Sequence, residues 1–253
     1  MRAEALLECG DLASAQTALN GAQAMERDGW TVADRMRRLR VEGLLHDAAG
    51  RYEDALAISC QALDMAQAAG IERYVLILMA DMASMRLKMG QAEAAEEQFT
   101  KLAAKAASGV NEGLTQCYAH VGLIAALLMQ GKLGQAEVTA LECVPLLQHS
   151  GIFLARCDIF SWLMAARGDI ESSARLLGAS DAFHERGQIT RDQIELRARQ
   201  RAFSYLCEGA NPGLVQQWMD DGASAKEDAV IGLLRSLREP SVKLVQGEAK
   251  SLV

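Results

Sequence analysis

Proline and aromatic residues are scarce in this chain of 253 residues. It has three prolines, and phenylalanine, tryptophan and tyrosine together make up 5% of it. Because proline removes a backbone donor and clashes inside a helix, its scarcity favours long helices. Alternating runs of β-branched residues are absent, whereas alanine, leucine, methionine and glutamine, which favour helices, are frequent. These features predict an all-α protein with essentially no sheet.

The sequence motifs of common enzymes and metal sites are also missing. Gly131-Lys132 is followed by leucine and lacks the preceding glycine of a phosphate-binding loop, and no G-x-S-x-G occurs. The four histidines lie at different helical phases, without an H-x-x-x-H pair. His46 and His120 fall on core-like phases and are expected to be hydrogen-bonded packing residues. We therefore expect no enzyme activity, no metal and no cofactor.

The charge balance and the cysteines limit the partners and the compartment. The net charge of −7 argues against direct nucleic-acid binding. Six cysteines without a C-x-x-C pair predict reduced thiols in a cytoplasmic protein. The longest apolar run, residues 121–129, is too short to span a bilayer, so no membrane partner is expected.

Two basic runs, interleaved with acids, are interpreted as solvated helix faces. Their arginines are Arg35, Arg37, Arg38 and Arg40, and Arg191, Arg197, Arg199 and Arg201.

A glycine pattern recurs along most of the chain. Its clearest copy is Gly50-Arg51-Tyr52-Glu53-Asp54-Ala55, a glycine followed by a hydrophobe and then an alanine. The leading glycines, at intervals of 40, 40, 41 and 37 residues, are Gly10, Gly50, Gly90, Gly131 and Gly168. A second glycine follows each of them after 19 or 20 residues, at Gly29, Gly70, Gly109, Gly151 and Gly187. A period near 40 residues with a break at half the period indicates an array of helical hairpins.

Each repeat is predicted to consist of helix A, a tight turn at the first glycine, helix B, and a stop at the second glycine. A glycine can take the positive φ that ends a helix. One hairpin cannot bury its own apolar stripe, so neighbouring hairpins must stack. The expected fold is a right-handed α-solenoid of about five hairpins over residues 1–188, the first one incomplete. Capping helices over residues 189–238 and a flexible tail over residues 239–253 would follow.

This pattern resembles the tetratricopeptide repeat, in a divergent form with a longer period. The family's turn glycine, following hydrophobe and two helix-B alanines fall on Gly50, Tyr52, Ala55 and Ala62. The family's small residue, seven positions before the turn glycine, matches Ala3, Gly43, Ala83 and Ser161, but Ile124 departs from it. A glycine replaces the family's closing proline. The resemblance implies a surface that binds a protein or a peptide.

The C-terminal part resembles another family, the bacterial signal-transduction ATPases that include large LuxR-type transcriptional activators. Its A-x-L-L-G-A-x-x-A segment is similar to residues 174–182, and its W-x-x-G…E-x-A ending is similar to residues 218–229. The resemblance implies a sensor region that binds a protein, a peptide or a small effector. It also implies ATPase and DNA-binding domains within one parent polypeptide. A stand-alone scaffold for protein partners is the alternative, and an enzyme fragment is a third possibility.

The tetratricopeptide resemblance also predicts a binding groove formed by the A helices. Positions 13, 10 and 6 residues before each turn glycine would face it. They are Arg37, Arg40 and Leu44; Ile77, Ala80 and Ser84; Tyr118, Val121 and Ala125; and Ala155, Asp158 and Trp162. Such a strip is basic at one end and apolar in the middle, as interaction surfaces often are. Packing of Tyr118 and Trp162 between neighbouring hairpins remains the alternative.

Overall fold

A computed structural model of the chain describes residues 3, 6–7, 10–26, 29–108, 113–148 and 150–238. Every regular element in these residues is a helix, so the all-α prediction is confirmed for the described chain. The predicted tail, residues 239–253, lies outside the described residues. The chain divides into two compact units, residues 1–108 and residues 109–253. The helices after residue 188, expected as capping helices, pack within the second unit.

Five helices of the first unit have their bounds within the described residues, and consecutive ones pack against one another. They are α1 (Leu12–Ala24), α2 (Val32–Ala48), α3 (Tyr52–Ala68), α4 (Glu72–Lys88) and α5 (Ala92–Ala107). Thr31 and Asp34 form a reciprocal capping box at the start of α2, as the sequence predicts. In the predicted repeat pattern, α2 and α4 correspond to A helices, and α1, α3 and α5 correspond to B helices.

The second unit begins with four helices that pack in chain order. They are α6 (Gly113–Met129), α7 (Leu133–Leu147), α8 (Phe153–Arg167) and α9 (Ile170–Gly187). The rest of the described chain consists of α10 (Gln193–Gly209), α11 (Pro212–Ser224), α12 (Glu227–Gly232) and a 3-10 helix (Leu233–Arg238). Here the packing order changes, because α10 lies on α8 and α11 lies on α9.

All five turn glycines adopt a left-handed backbone, with φ between 71° and 97°. At Gly50 the N–H of Arg51 donates to the carbonyl of His46, and the N–H of Gly50 donates to the carbonyl of Asp47, each at 2.9 Å. This pair of bonds is the Schellman motif, which satisfies the last carbonyls of a helix. The same pair closes the turns at Gly10, Gly90, Gly131 and Gly168. One local hydrogen-bond pattern therefore recurs at all five turn glycines.

The second glycines behave less uniformly than the sequence predicts. Gly70 and Gly151 take a positive φ, whereas Gly29 and Gly187 do not, and Gly109 lies outside the described residues. Gly187 is still helical, and Gln188 takes the left-handed conformation instead, with φ of 50°. The Schellman bonds shift with it, since Ile189 N–H donates to the carbonyl of His184.

Small residues let the paired helices approach closely. The helix-B alanines are fully buried at Ala15, Ala55, Ala95, Ala136 and Ala174. On the facing A helix, a Cβ added at Gly43 would lie 3.1 Å from the hydroxyl of Ser59 and 3.5 Å from the carbonyl oxygen of Ala55. In the second unit, serines lie at the close contact between α8 and α9. Ser161 Oγ donates to the carbonyl of Ser173 at 2.8 Å. Larger side chains at these places would push the helices apart.

Candidate interaction surface

The predicted groove residues of the first unit form a partly open strip on α2 and α4. Arg37 is exposed, while Arg40, Leu44, Ile77 and Ser84 are half-buried. Ala80, which lies between Ile77 and Ser84 on the same face of α4, is also half-buried. We call these six residues the α2–α4 strip. It combines two guanidinium groups with partly exposed aliphatic side chains, a composition typical of protein-binding surfaces.

Polar side chains tie α2 to α4 along this strip. Arg40 Nε lies 2.8 Å from Asp81 Oδ2, and Lys88 Nζ lies 2.6 Å from Asp47 Oδ2. Arg37 Nε donates to the hydroxyl of Tyr74 at 3.1 Å. Both ion pairs join residues 41 positions apart, so they bridge successive A helices. The bridges hold the two helices at a fixed spacing, which keeps the strip preorganised.

The Arg40–Asp81 pair is partly desolvated. Burial raises the pKa of Asp81, and the guanidinium of Arg40 opposes that rise. A charged group removed from water stays ionised only when a partner compensates it. Arg40 therefore serves the fold as well as lining the strip, which makes the exposed Arg37 the better probe of binding.

The predicted groove residues of the second unit are mostly buried. Val121, Asp158 and Trp162 are 3%, 0% and 7% exposed, whereas Tyr118 is 37% exposed. These three side chains therefore do not line an open groove, contrary to the expectation from the repeat pattern. Ala125 is also buried, and Ala155 is half-buried.

Helix α10 contributes to the burial of Asp158, because it packs along α8, where Asp158 resides. Arg191, just before α10, places Nε 2.6 Å from Asp158 Oδ2. Arg156 of α8 places Nη1 2.5 Å from Glu195 Oε1. The chain thus fills with its own helix the face of α8 that the repeat pattern assigns to a partner.

A third carboxylate extends this ion-pair cluster to α9. Asp181 accepts from Arg191 Nη2 at 2.6 Å and from Arg199 Nη2 at 2.8 Å. Arg191 is only 14% exposed, so the interpretation of this basic run as a solvated face is wrong at Arg191. Arg191 and Arg199 of this run instead attach α10 to α8 and α9.

Burial changes the acidity of the three carboxylates in different ways. It raises the pKa of Asp158, although Arg191 opposes the shift. It also raises the pKa of Glu195 to about 7, with the nearby charge of Asp192 adding to the rise and Arg156 reducing it. Burial acts in the same direction on Asp181, but there the bonds from Arg199 and Arg191 prevail and lower its pKa.

Tyr118 is the most exposed of the predicted groove residues of the second unit. The guanidinium carbon of Arg156 lies 5.1 Å from the centre of its ring, which is a cation–π arrangement. Arg156 also contacts Glu195, so α6, α8 and α10 meet around one arginine. The Tyr118 side chain is therefore held by this contact while 37% of its surface stays exposed.

The two C-terminal motifs of the signal-transduction ATPase resemblance meet in space. A Cβ at Gly178 of α9 would overlap the carbonyl oxygen of Met219 in α11. A Cβ at Gly222 of α11 would overlap the carbonyl oxygen of Arg175 in α9. The helices therefore cross with their backbones in contact, which only glycine permits. Each motif glycine has a packing reason that does not depend on a ligand.

The histidines have structural surroundings in the described chain. His120 is 9% exposed, and its Nδ1 lies 2.8 Å from the carbonyl oxygen of Gln116. His46 is half-buried, with Nδ1 3.2 Å from Arg51 Nε. The described residues contain no group of three or more histidine, cysteine, aspartate or glutamate side chains that could hold a metal ion.

Sequence reasoning missed the partners that fix these surfaces. Tyr74, Asp81, Arg191 and Glu195 were not selected by the repeat pattern. A signal for one of them exists, because Asp81 stands one repeat period after Arg40. No comparable spacing marks Glu195 as the partner of Arg156.

No helix of the described residues is long and apolar enough to cross a membrane. No family model, curated protein or solved structure matches the chain.

Proposed function

We propose that this chain is a non-enzymatic interaction domain, an α-solenoid of tetratricopeptide-like hairpins that binds a protein, a peptide or a small effector. The observation that carries the proposal is the α2–α4 strip, a partly exposed apolar and basic face preorganised by ion pairs between successive A helices. The five equivalent Schellman turns support the repeat assignment. An extended peptide or an amphipathic helix fits a surface of this kind.

We further propose that the domain is the C-terminal sensor of a signal-transduction ATPase-type transcriptional regulator. The support is the resemblance of residues 174–182 and 218–229, whose glycines Gly178 and Gly222 meet at a helix crossing. A shared spatial role explains why two separated motifs would occur together. In this reading the partner bound at the strip controls an ATPase domain of the same polypeptide.

A stand-alone scaffold is the second candidate. The α2–α4 strip favours it, because the strip is complete within the first unit and needs no other domain to form. The DNA sequence in frame with the chain separates the two candidates. A P-loop ATPase domain encoded upstream supports the regulator, and an open reading frame that lacks one supports the scaffold.

The strip itself is tested by variants in the longest natural form of the polypeptide. Arg37→Glu and Ile77→Gln should weaken binding of the physiological partner or abolish effector control of ATP hydrolysis. Lys101→Glu on α5, whose side chain is 65% exposed and lies on a B helix, is the matched charge-reversal control. Equal binding by all three variants, with unchanged melting temperatures, would exclude the strip as the binding surface.

A further inference from the structure

Two thiols face each other inside the hairpin of α6 and α7. The Sγ atoms of Cys117 and Cys143 lie 4.0 Å apart, and both side chains are fully buried. Cys117 is in the second turn of α6, and Cys143 is in the last turns of α7. Neither thiol belongs to a C-x-x-C motif, so the sequence alone gives no reason to pair them.

We propose that Cys117 and Cys143 form a modification site, a reversible disulfide that joins α6 to α7 when the protein meets hydrogen peroxide. The proposal is independent of the proposed function. A disulfide requires the sulfur atoms to approach to about 2.05 Å. The sulfur atoms, now 4.0 Å apart, must therefore approach each other by about 2 Å.

The surroundings favour ionisation of one thiol of the pair. A hydrogen bond from Cys143 lowers the pKa of Cys117, and Ser150 and the positive charge of Arg156 act in the same direction. The same shared proton raises the pKa of Cys143. Cys117 is thus the group that ionises first, and the thiolate is the form that attacks peroxide.

The reaction proceeds in two balanced steps. The Cys117 thiolate attacks one oxygen of hydrogen peroxide, the O–O bond breaks, and a sulfenic acid and hydroxide form. The Cys143 thiol then attacks the sulfenic sulfur, the S–O bond breaks, and a second hydroxide leaves as water after taking the thiol proton. Overall, two thiols are oxidised to one disulfide, and one peroxide is reduced to two waters. An external thiol reverses the reaction by exchange.

Two partly exposed side chains lie next to Cys117 on α6. Leu114, one turn before Cys117 on α6, is 49% exposed, and the adjacent Tyr118 is 37% exposed. Because both sulfurs are buried, hydrogen peroxide reaches them through local opening of the α6–α7 hairpin. Cys157 provides a contrast within the same unit, because burial raises its pKa well above the ordinary thiol value and the nearby Asp158 adds to the rise.

The experiment treats the protein with a small excess of hydrogen peroxide, then quenches it in acid and alkylates it under denaturing conditions. Peptide mass spectrometry should find the peptides of Cys117 and Cys143 linked and two hydrogens lighter than their sum. Closing a loop of this length should raise the melting temperature by about 5 to 10 °C, and dithiothreitol should reverse the rise.

The matched variants are Cys143→Ala and Cys157→Ala. Cys143→Ala places the residue typical of the repeat at a buried position and should lose both the linked peptide and the peroxide-dependent shift. Cys157→Ala should keep both. Several outcomes would overturn the proposal: free alkylated thiols at both positions after peroxide, a sulfinic acid on Cys117 without linkage, or linkage of either thiol to another cysteine. If Cys143→Ala does not fold, Cys117→Ala is read by the same criteria.

Discussion

Gly178 and Gly222 show how single residues decide the packing of the second unit. Each faces a backbone carbonyl of the opposite helix, on Met219 and on Arg175, at a distance that leaves no room for a methyl group. Side-chain rotation cannot relieve such a clash, because the obstructing atoms belong to the main chain. The helices can only separate, and separation exposes apolar surface.

The first prediction is that Gly178→Ala destabilises the protein by about 2 to 3 kcal/mol or more, as expected for overpacking at a rigid contact. Chemical denaturation followed by circular dichroism measures it. Gly134→Ala in α7 is the control, because a Cβ there meets nothing within 4 Å. A methyl group at an unobstructed helical glycine should stabilise by about 0.5 to 1 kcal/mol. Similar stability changes in both variants would contradict the close crossing of α9 and α11.

At the scale of elements, α10 depends on ion pairs for its position. Arg191 links it to Asp158 of α8 and to Asp181 of α9, while Glu195 links it to Arg156. Its inward apolar residues are Ala198, Ala202 and Leu206, two of them small. Small side chains bury little apolar area, so the charged contacts carry more of the specificity of docking.

The second prediction concerns Arg191→Ala. It leaves Asp158 fully buried without its guanidinium partner, and breaking a buried pair in this way costs about 3 to 5 kcal/mol. The penalty should shrink in acid, because Asp158 then takes up a proton. Arg201→Ala, exposed on the same helix, should change stability by less than about 0.5 kcal/mol.

A double-mutant cycle identifies the cause. Adding Asp158→Asn to Arg191→Ala removes the unpaired charge, so the double variant should be more stable than the sum of the single effects indicates. Strictly additive losses would show that Arg191 does not pair with Asp158.

The third prediction concerns the pH dependence that Glu195 adds to stability. Its pKa rises from 4.5 to about 7 on folding, so the folded state holds the proton more tightly than the unfolded state. The favourable contribution is complete below pH 4.5 and is lost as the pH rises through about 7. Glu195→Gln cannot titrate. The stability of the wild type relative to this variant should therefore increase as the pH falls from 8 to 5, measured by urea unfolding. A constant difference would mean that Glu195 titrates normally.

At the scale of the molecule, the fourth prediction is that the isolated chain does not bind ATP with micromolar affinity. The sequence lacks the glycine-rich loop that would cradle phosphates. Titration calorimetry with ATP and Mg²⁺ should give no binding heat beyond dilution. Saturable heat in the micromolar range would contradict the non-enzymatic assignment.

The features that sequence predicts well are local. A glycine at C′, an alanine five residues later and a capping residue act through neighbours along the chain, so the helix ends near Gly10, Gly50 and Gly90 follow from the sequence. The burial of Ala15, Ala55 and Ala95 follows from the same register.

The sequence did not reveal that most of the predicted groove residues of the second unit are buried, because their burial depends on tertiary packing. Repeat counting places Asp158 and Trp162 on the face of an A helix but does not reveal which later helix covers that face. The cover depends on Arg191 and Glu195, which lie 33 and 39 residues from their partners in sequence. Charged residues in such runs usually lie in solvent, so only the fold distinguishes an anchoring arginine from a solvated one.

The crossing of α9 and α11 also has a consequence for evolution. At most tertiary contacts the residues can change together during evolution, since a larger side chain on one helix is accommodated by a smaller one on its neighbour. Gly178 and Gly222 cannot change in this way, because each already has the smallest side chain. Each also faces a main-chain carbonyl oxygen, which every amino acid carries, so no substitution on the neighbouring helix makes room. Among relatives that keep this crossing, both positions should remain glycine. A covariation search would therefore detect no correlated changes between them, although their helices touch through the backbone.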